Sequence, residues 1–128
     1  MVERTARFGE TVARFAKNLP VNAVNSPLIS QVVRSATSVG AHYSETDDAS
    51  TKKEFMHKIG TCKREARETK HWLRMIAAAE TGLADEASGL WKDARELHLI
   101  FAAITRRGKD WPFMVGHSPV VRAWALVI

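Results

Sequence analysis

The stretch EFMHKIGTCKREARETKHWLRMIAAAETGL, Glu54 to Leu83, decides the fold. Within it Phe55, Ile59, Cys62, Ala66, Thr69, Leu73 and Ile76 recur in alternating steps of four and three. That rhythm puts one apolar or small side chain on the same side of each α-helical turn. TKKE (Thr51 to Glu54) has the form of a capping box, and Gly82 supplies a stop, so the spacing predicts a helix over about residues 51–80. Beyond a very short turn, Leu83, Ala87, Leu90, Ala94, Leu97, Phe101 and Ile104 repeat the same steps and predict a helix over about 83–106. Two long helices joined this tightly make an antiparallel αα-hairpin with the shallow crossing of a bundle.

Working toward the N-terminus, RSATSVGAHYSE (Arg34 to Glu45) lies inside a predicted helix over about 27–45. Ser26 followed by Pro27 reads as its start, a hydroxyl cap before a proline whose missing N–H costs nothing there. Leu28, Val32, Ser35, Val39 and His42 form one face; Ile29, Val33, Ala36, Gly40 and Tyr43 form the next. Small residues in such a run suit a close helix–helix approach. A phosphate loop needs a preceding strand and more glycines, and a nucleophile elbow needs a Gly-x-Ser-x-Gly pattern; neither is present. A first helix over about 3–18 carries the stripe Phe8, Val12, Phe15 and Leu19. The expectation is an all-α, antiparallel up-and-down four-helix bundle over residues 1–107, followed by an apolar tail, 108–128, interrupted by Pro112 and Pro119. The tail either folds back on the bundle or docks on another chain.

At 128 residues one domain is expected, large enough to bury a core without disulfide staples. There is no apolar run long enough to span a membrane and no secretory pattern at the start, and the lone Cys62 has no disulfide partner in the chain. Together these point to the reducing cytoplasm and to no membrane partner. The net charge of +5 favours a polyanion.

RSATSVGAHYSE together with EFMHKIGTCKREARETKHWLRM resembles the four-helix-bundle family of proteins encoded in 23S ribosomal RNA intervening sequences. The positions that carry the likeness are Arg34, Ser35 and Ala36; Glu54 and Phe55; Glu65 and Ala66; Glu68 and Thr69; and Trp72 and Leu73. It covers about Phe8 to Ile104, and His42, Tyr43, Ser44 and Glu45 depart from the family pattern. The resemblance implies a homopentameric ring and no established enzymatic activity. The family is also similar in fold to accessory proteins of diversity-generating retroelements, basic rings that assist a reverse transcriptase and bind nucleic acid.

Unrolled at roughly 100° per residue, the helix over 51–80 shows three surfaces. Opposite the core seam lie Lys53, His57, Arg64, Arg67, His71 and Arg74, with Lys52, Lys63 and Lys70 on one flank. Glu68 is the one acid at the edge of this basic back. Like charges at i,i+3 and i,i+4 repel by a few tenths of a kcal/mol each, so a one-signed stripe carries a cost that an ordinary solvated face avoids. Lys53, His57, Lys63, Arg64, Arg67, Lys70, His71 and Arg74 are therefore the candidate contacts to RNA or DNA. The other flank holds Glu54, Glu65 and Trp72, read with Arg34 as a subunit interface. Intramolecular packing of Trp72 beside the core is the competing reading.

No catalytic centre is expected. The Glu-x-x-His pairs Glu54/His57 and Glu68/His71 lie on one helix, roughly 21 Å apart, and their histidines face away from the seam, which is unlike an inward-pointing di-metal site. His98 and His117 have no partner at metal-ligand spacing, and Cys62 sits in the seam as a small hydrophobe. The expected function is thus that of a non-catalytic, cofactor-free oligomeric accessory factor binding nucleic acid. A protein–protein scaffold without direct nucleic-acid binding is the alternative.

Overall fold

The computed structural model describes residues 1–108; the expectations for the tail beyond Gly108 lie outside the described residues. Four helices account for most of them: α1 (Val2–Ala16), α2 (Asn25–Ser44), α3 (Lys52–Ala79) and α4 (Ala84–Arg106), with single 3₁₀ turns at Glu45–Asp48 and Thr81–Leu83. No strand occurs among the described residues. Each helix packs along its neighbour in sequence, α1 on α2, α2 on α3 and α3 on α4, whereas α1 and α4 approach less closely. The result is an all-α four-helix bundle.

The seams read from the sequence form its core. Phe8, Val12, Phe15 and Leu19 are buried, as are Val32 and Val39 of α2, all seven seam positions of α3, and every seam residue of α4 except the half-buried Leu83. Ile100, which lies off the simple α4 stripe, is fully buried as well. Ser35 and Thr69 are polar members of the interior. Thr69 Oγ1 lies 2.9 Å from Ser35 Oγ and donates to the Glu65 carbonyl at 2.8 Å, so the pair is satisfied across α2 and α3.

One boundary and one stop signal differ from those expected. α2 begins ahead of Ser26 because the Asn22 side chain, through Oδ1, accepts from the backbone N–H groups of Val24 (3.0 Å) and Asn25 (2.8 Å). Asn25 is itself buried, donating to Pro20 O and to Glu80 Oε1, each at 2.8 Å, which ties the α1–α2 loop to the end of α3. α3 ends at Ala79, within a residue of the expected end, but the residue that leaves helical geometry is Glu80 (φ −128°, ψ 83°) and not Gly82, which lies within the following 3₁₀ turn. At the other end of α3, Thr51 does cap, accepting from Glu54 N–H at 3.1 Å, while the Glu54 carboxylate reaches back to Ser50.

The small residues of α2 bring it against α1. A Cβ on Gly40 would stand 3.3 Å from the Thr5 backbone, and one on Gly9 would stand 3.2 Å from Thr37 Cα. Neither neighbour is a flexible side-chain end, so the two helix backbones themselves would have to part. His42, at the far end of the other α2 face, that of Leu28, Val32, Ser35 and Val39, stays half-exposed with Nδ1 4.0 Å from Glu45.

Gly40→Leu is therefore expected to destabilise the bundle by about 1–3 kcal/mol through forced separation of α1 and α2. Gly89→Ala, with nothing within 4 Å of the added Cβ, is expected to gain about 0.5–1 kcal/mol of helix propensity. Urea denaturation of the two variants checks both signs.

Candidate functional site

α3 is sandwiched between α2 and α4, and this placement sorts its charges. On the α2 side, Arg34 reaches across to two carboxylates, with Nη1 3.3 Å from Glu65 Oε2 and Nη2 2.7 Å from Glu68 Oε2. Glu65 is buried at 8% exposure, where an unpaired carboxylate would be costly, so the guanidinium fork is a structural requirement. Hydrogen bonding to Glu68 and the nearby carboxylate charges raise the Arg34 pKa against the opposing effect of partial burial. Glu68, the one acid at the edge of the basic back, is thereby drawn away from it. Lys58 pairs with Glu45 on the same side.

Of the residues assigned to a subunit interface, Arg34 and Glu65 thus meet within one chain, and Glu54 serves the N-terminus of α3. Trp72 is half-buried against the core, with His71 packed edge-on at 4.8 Å between ring centroids. Its Nε1 is buried without a hydrogen-bond partner among the described residues.

The outward surface of α3 is different. Lys53, His57, Arg64, Arg67, His71 and Arg74 are exposed, and Lys63 and Lys70 are half-buried toward α4. Among the described residues none of these eight makes an ion pair. The ion-paired acids meet other cations: Glu3 with Arg7, Glu10 with Arg14, Glu45 with Lys58, Glu65 and Glu68 with Arg34, and Glu96 with Arg4. On α4, Asp93 and Glu96 both turn toward α1. Asp93 lines a cleft with Arg4, Arg7 and Thr11, where partial burial, with Glu96 nearby, raises its pKa.

Two residues of this surface were not among the sequence candidates. Trp91 of α4 lies beside Lys70, whose Nζ is 5.7 Å from the ring centroid. His98, one heptad further along α4, is half-buried and faces Lys70, Lys63 and Arg67. Burial first, and then these three cations, hold its pKa below the ordinary imidazole value, which favours the neutral ring. A cationic face with two aromatic rings in its α3–α4 groove is the most distinctive chemical feature of the molecule. Cys62, by contrast, is buried in the seam; desolvation pushes its pKa up to about 12, which leaves an inert thiol. Among the described residues no three His, Cys, Asp or Glu side chains gather where they would hold a metal ion, and no helix is long and apolar enough to cross a membrane.

Compared with known proteins, residues 1–103 match the family model described as 23S rRNA-intervening sequence protein. The fold is similar to the crystal structure of a protein of unknown function from the S23 ribosomal protein family of Bacteroides thetaiotaomicron. That similarity has a TM-score of 0.71 at 24% sequence identity, covering 81% of this chain and 96% of that one. No curated protein matches the chain significantly.

If Lys70 helps to hold His98 neutral, Lys70→Gln raises the His98 titration midpoint toward the ordinary imidazole value. The His98 ring resonances followed by NMR against pH give the shift, and an unmoved midpoint would separate the two residues.

Proposed function

The chain belongs to the family of 23S rRNA-intervening sequence proteins, and from that premise we propose that it is a non-catalytic cytoplasmic accessory protein that binds RNA or DNA. The observation that supports this reading above others is the unneutralised cationic face of α3: eight basic or imidazole side chains, none ion-paired among the described residues. A surface of one sign attracts a polyanion over long range, and each phosphate neutralised by Lys or Arg releases condensed counterions. The family name, which ties its members to the 23S rRNA gene, adds to the case for a nucleic-acid setting.

In this proposal the protein acts as a homopentameric ring. A ring repeats the face and adds its weak phosphate contacts, so that modest single-site affinity becomes tight retention. Such a ring suits the delivery of a nucleic-acid strand to a polymerase, and a reverse transcriptase is the proposed class of partner. Trp72, on the α2 side of α3, is the residue proposed to lie nearest the contact between copies.

Two measurements test the proposal. In gel shifts at low and moderate salt, the unaltered protein binds RNA or DNA with affinity that falls steeply as salt rises, and Arg64→Glu, Arg67→Glu and Arg74→Glu together weaken binding about 100-fold or more. Salt-dependent affinity unchanged in that triple variant would remove the face from consideration; absence of binding by the unaltered chain would leave the scaffold reading. Light scattering is expected to give five times the 14.3 kDa chain mass.

A further inference from the structure

The outward groove between α3 and α4 combines cations with aromatic rings in a way that the exposed back of α3 does not. Lys63, Arg67 and Lys70 rise along one wall, each about one helical turn from the next. Trp91 and His98 stand on the other. We propose that this groove holds single-stranded nucleic acid, with an unpaired base stacked on the Trp91 indole and the adjoining phosphates on Lys63, Arg67 and Lys70. This rests on the nucleic-acid reading above and adds to it the form of the ligand and the residue that selects it.

Three features support the assignment. First, Trp91 is half-buried and packed against the core, which leaves part of its surface free beside the cations of α3. The Lys70 ammonium already lies over that ring. A base taking its place passes Lys70 to a phosphate, exchanging one cation–π contact for a stack and an ion pair. Second, the groove's charge is of one sign. Lys92 and Arg95 extend it along the exposed side of α4, while Asp93 and Glu96 are turned to α1 and Glu96 is held by Arg4 at 3.1 Å. Third, the neutral imidazole of His98 both donates and accepts, which suits a base edge better than a phosphate.

Stacking on a ring set between two helices requires a base free of its own stack. A duplex presents phosphates to the exposed arginines but no unpaired base to the recessed indole. The groove therefore discriminates by strandedness and not by sequence, because every base has a π-face. RNA and single-stranded DNA share this chemistry.

The test uses the full chain, titrated with fluorescently labelled oligouridine and oligothymidine and with RNA and DNA duplexes of equal length. The unaltered protein is expected to favour the single strands, and comparison of the two oligonucleotides separates RNA from DNA as the preferred source. Trp91→Leu, which keeps an apolar side chain against the core, is expected to weaken single-strand binding about ten-fold. Its duplex affinity and its salt slope stay as they were, since no charge is lost. Trp91→Phe, with a smaller ring, retains most of the single-strand affinity. Equal single-strand affinity in a folded Trp91→Leu overturns the proposal while leaving Arg64-, Arg67- and Arg74-dependent binding intact. Duplex preference by the unaltered protein does the same without any variant, so it decides the matter even if Trp91→Leu fails to fold. No salt-dependent binding of any nucleic acid overturns both readings.

Discussion

The Arg34 guanidinium makes the charge distribution of this bundle possible. It leaves α2 to meet Glu65 and Glu68 together, and in doing so it compensates a carboxylate buried at the α2–α3 contact. Burying Glu65 without a partner would oppose the packing of Ala66 and Thr69 beside it, because desolvation of an isolated carboxylate outweighs the burial of a few small side chains. With the fork in place, the acids of α3 belong to the α2 side. The helix then has a neutralised flank, an apolar seam, and a back and opposite flank on which cations predominate.

That arrangement opposes helix stability. Lys63, Arg67, Lys70 and Arg74 stand three and four residues apart on neighbouring surface positions, each such pair costing a few tenths of a kcal/mol. The cost is tolerable for two reasons. The fully exposed members are screened by solvent and salt. The half-buried Lys63 and Lys70 can offset part of the cost, since a lysine stem buries apolar surface while its ammonium stays in water. His98 shows the remaining tension, since burial first, and then Lys70, Lys63 and Arg67, make its imidazole lose its proton more readily. Here local stability is held below what a mixed-sign face would give, the pattern expected where a surface is shaped by what it meets.

Much of this was legible in the sequence because a single periodicity governs it. The four-and-three steps of α3 and α4 locate the seam, and the seam fixes by geometry which charges face outward. The close approach at Gly40 was legible too, since small residues in a helical run have few other uses. What escaped were features set by neighbours distant in sequence. Ser26 looked like a cap, yet the backbone geometry before it lets the Asn22 side chain do that work. Gly82 looked like a stop, but Glu80 leaves helical geometry first and anchors Asn25. Trp91 and His98 were invisible as a site because neither is unusual on its own helix.

Their visibility depends on register. Lys63 and Lys70 are one heptad apart, and so are Trp91 and His98. An antiparallel hairpin with a fixed short turn sets Lys70 against Trp91 and brings His98 into the field of both Lys70 and Lys63. The rotation of each helix is fixed by its seam, whereas their axial alignment is fixed by the turn at Thr81–Leu83. A slide of α4 by one heptad would keep the same apolar stripe facing the core and yet carry Trp91 from Lys70 to Lys63, leaving His98 opposite Met56. The periodicity of the seam alone thus fits alternatives that the groove does not. The brevity of the turn is what converts two unremarkable helices into one surface where a cation sits over an indole.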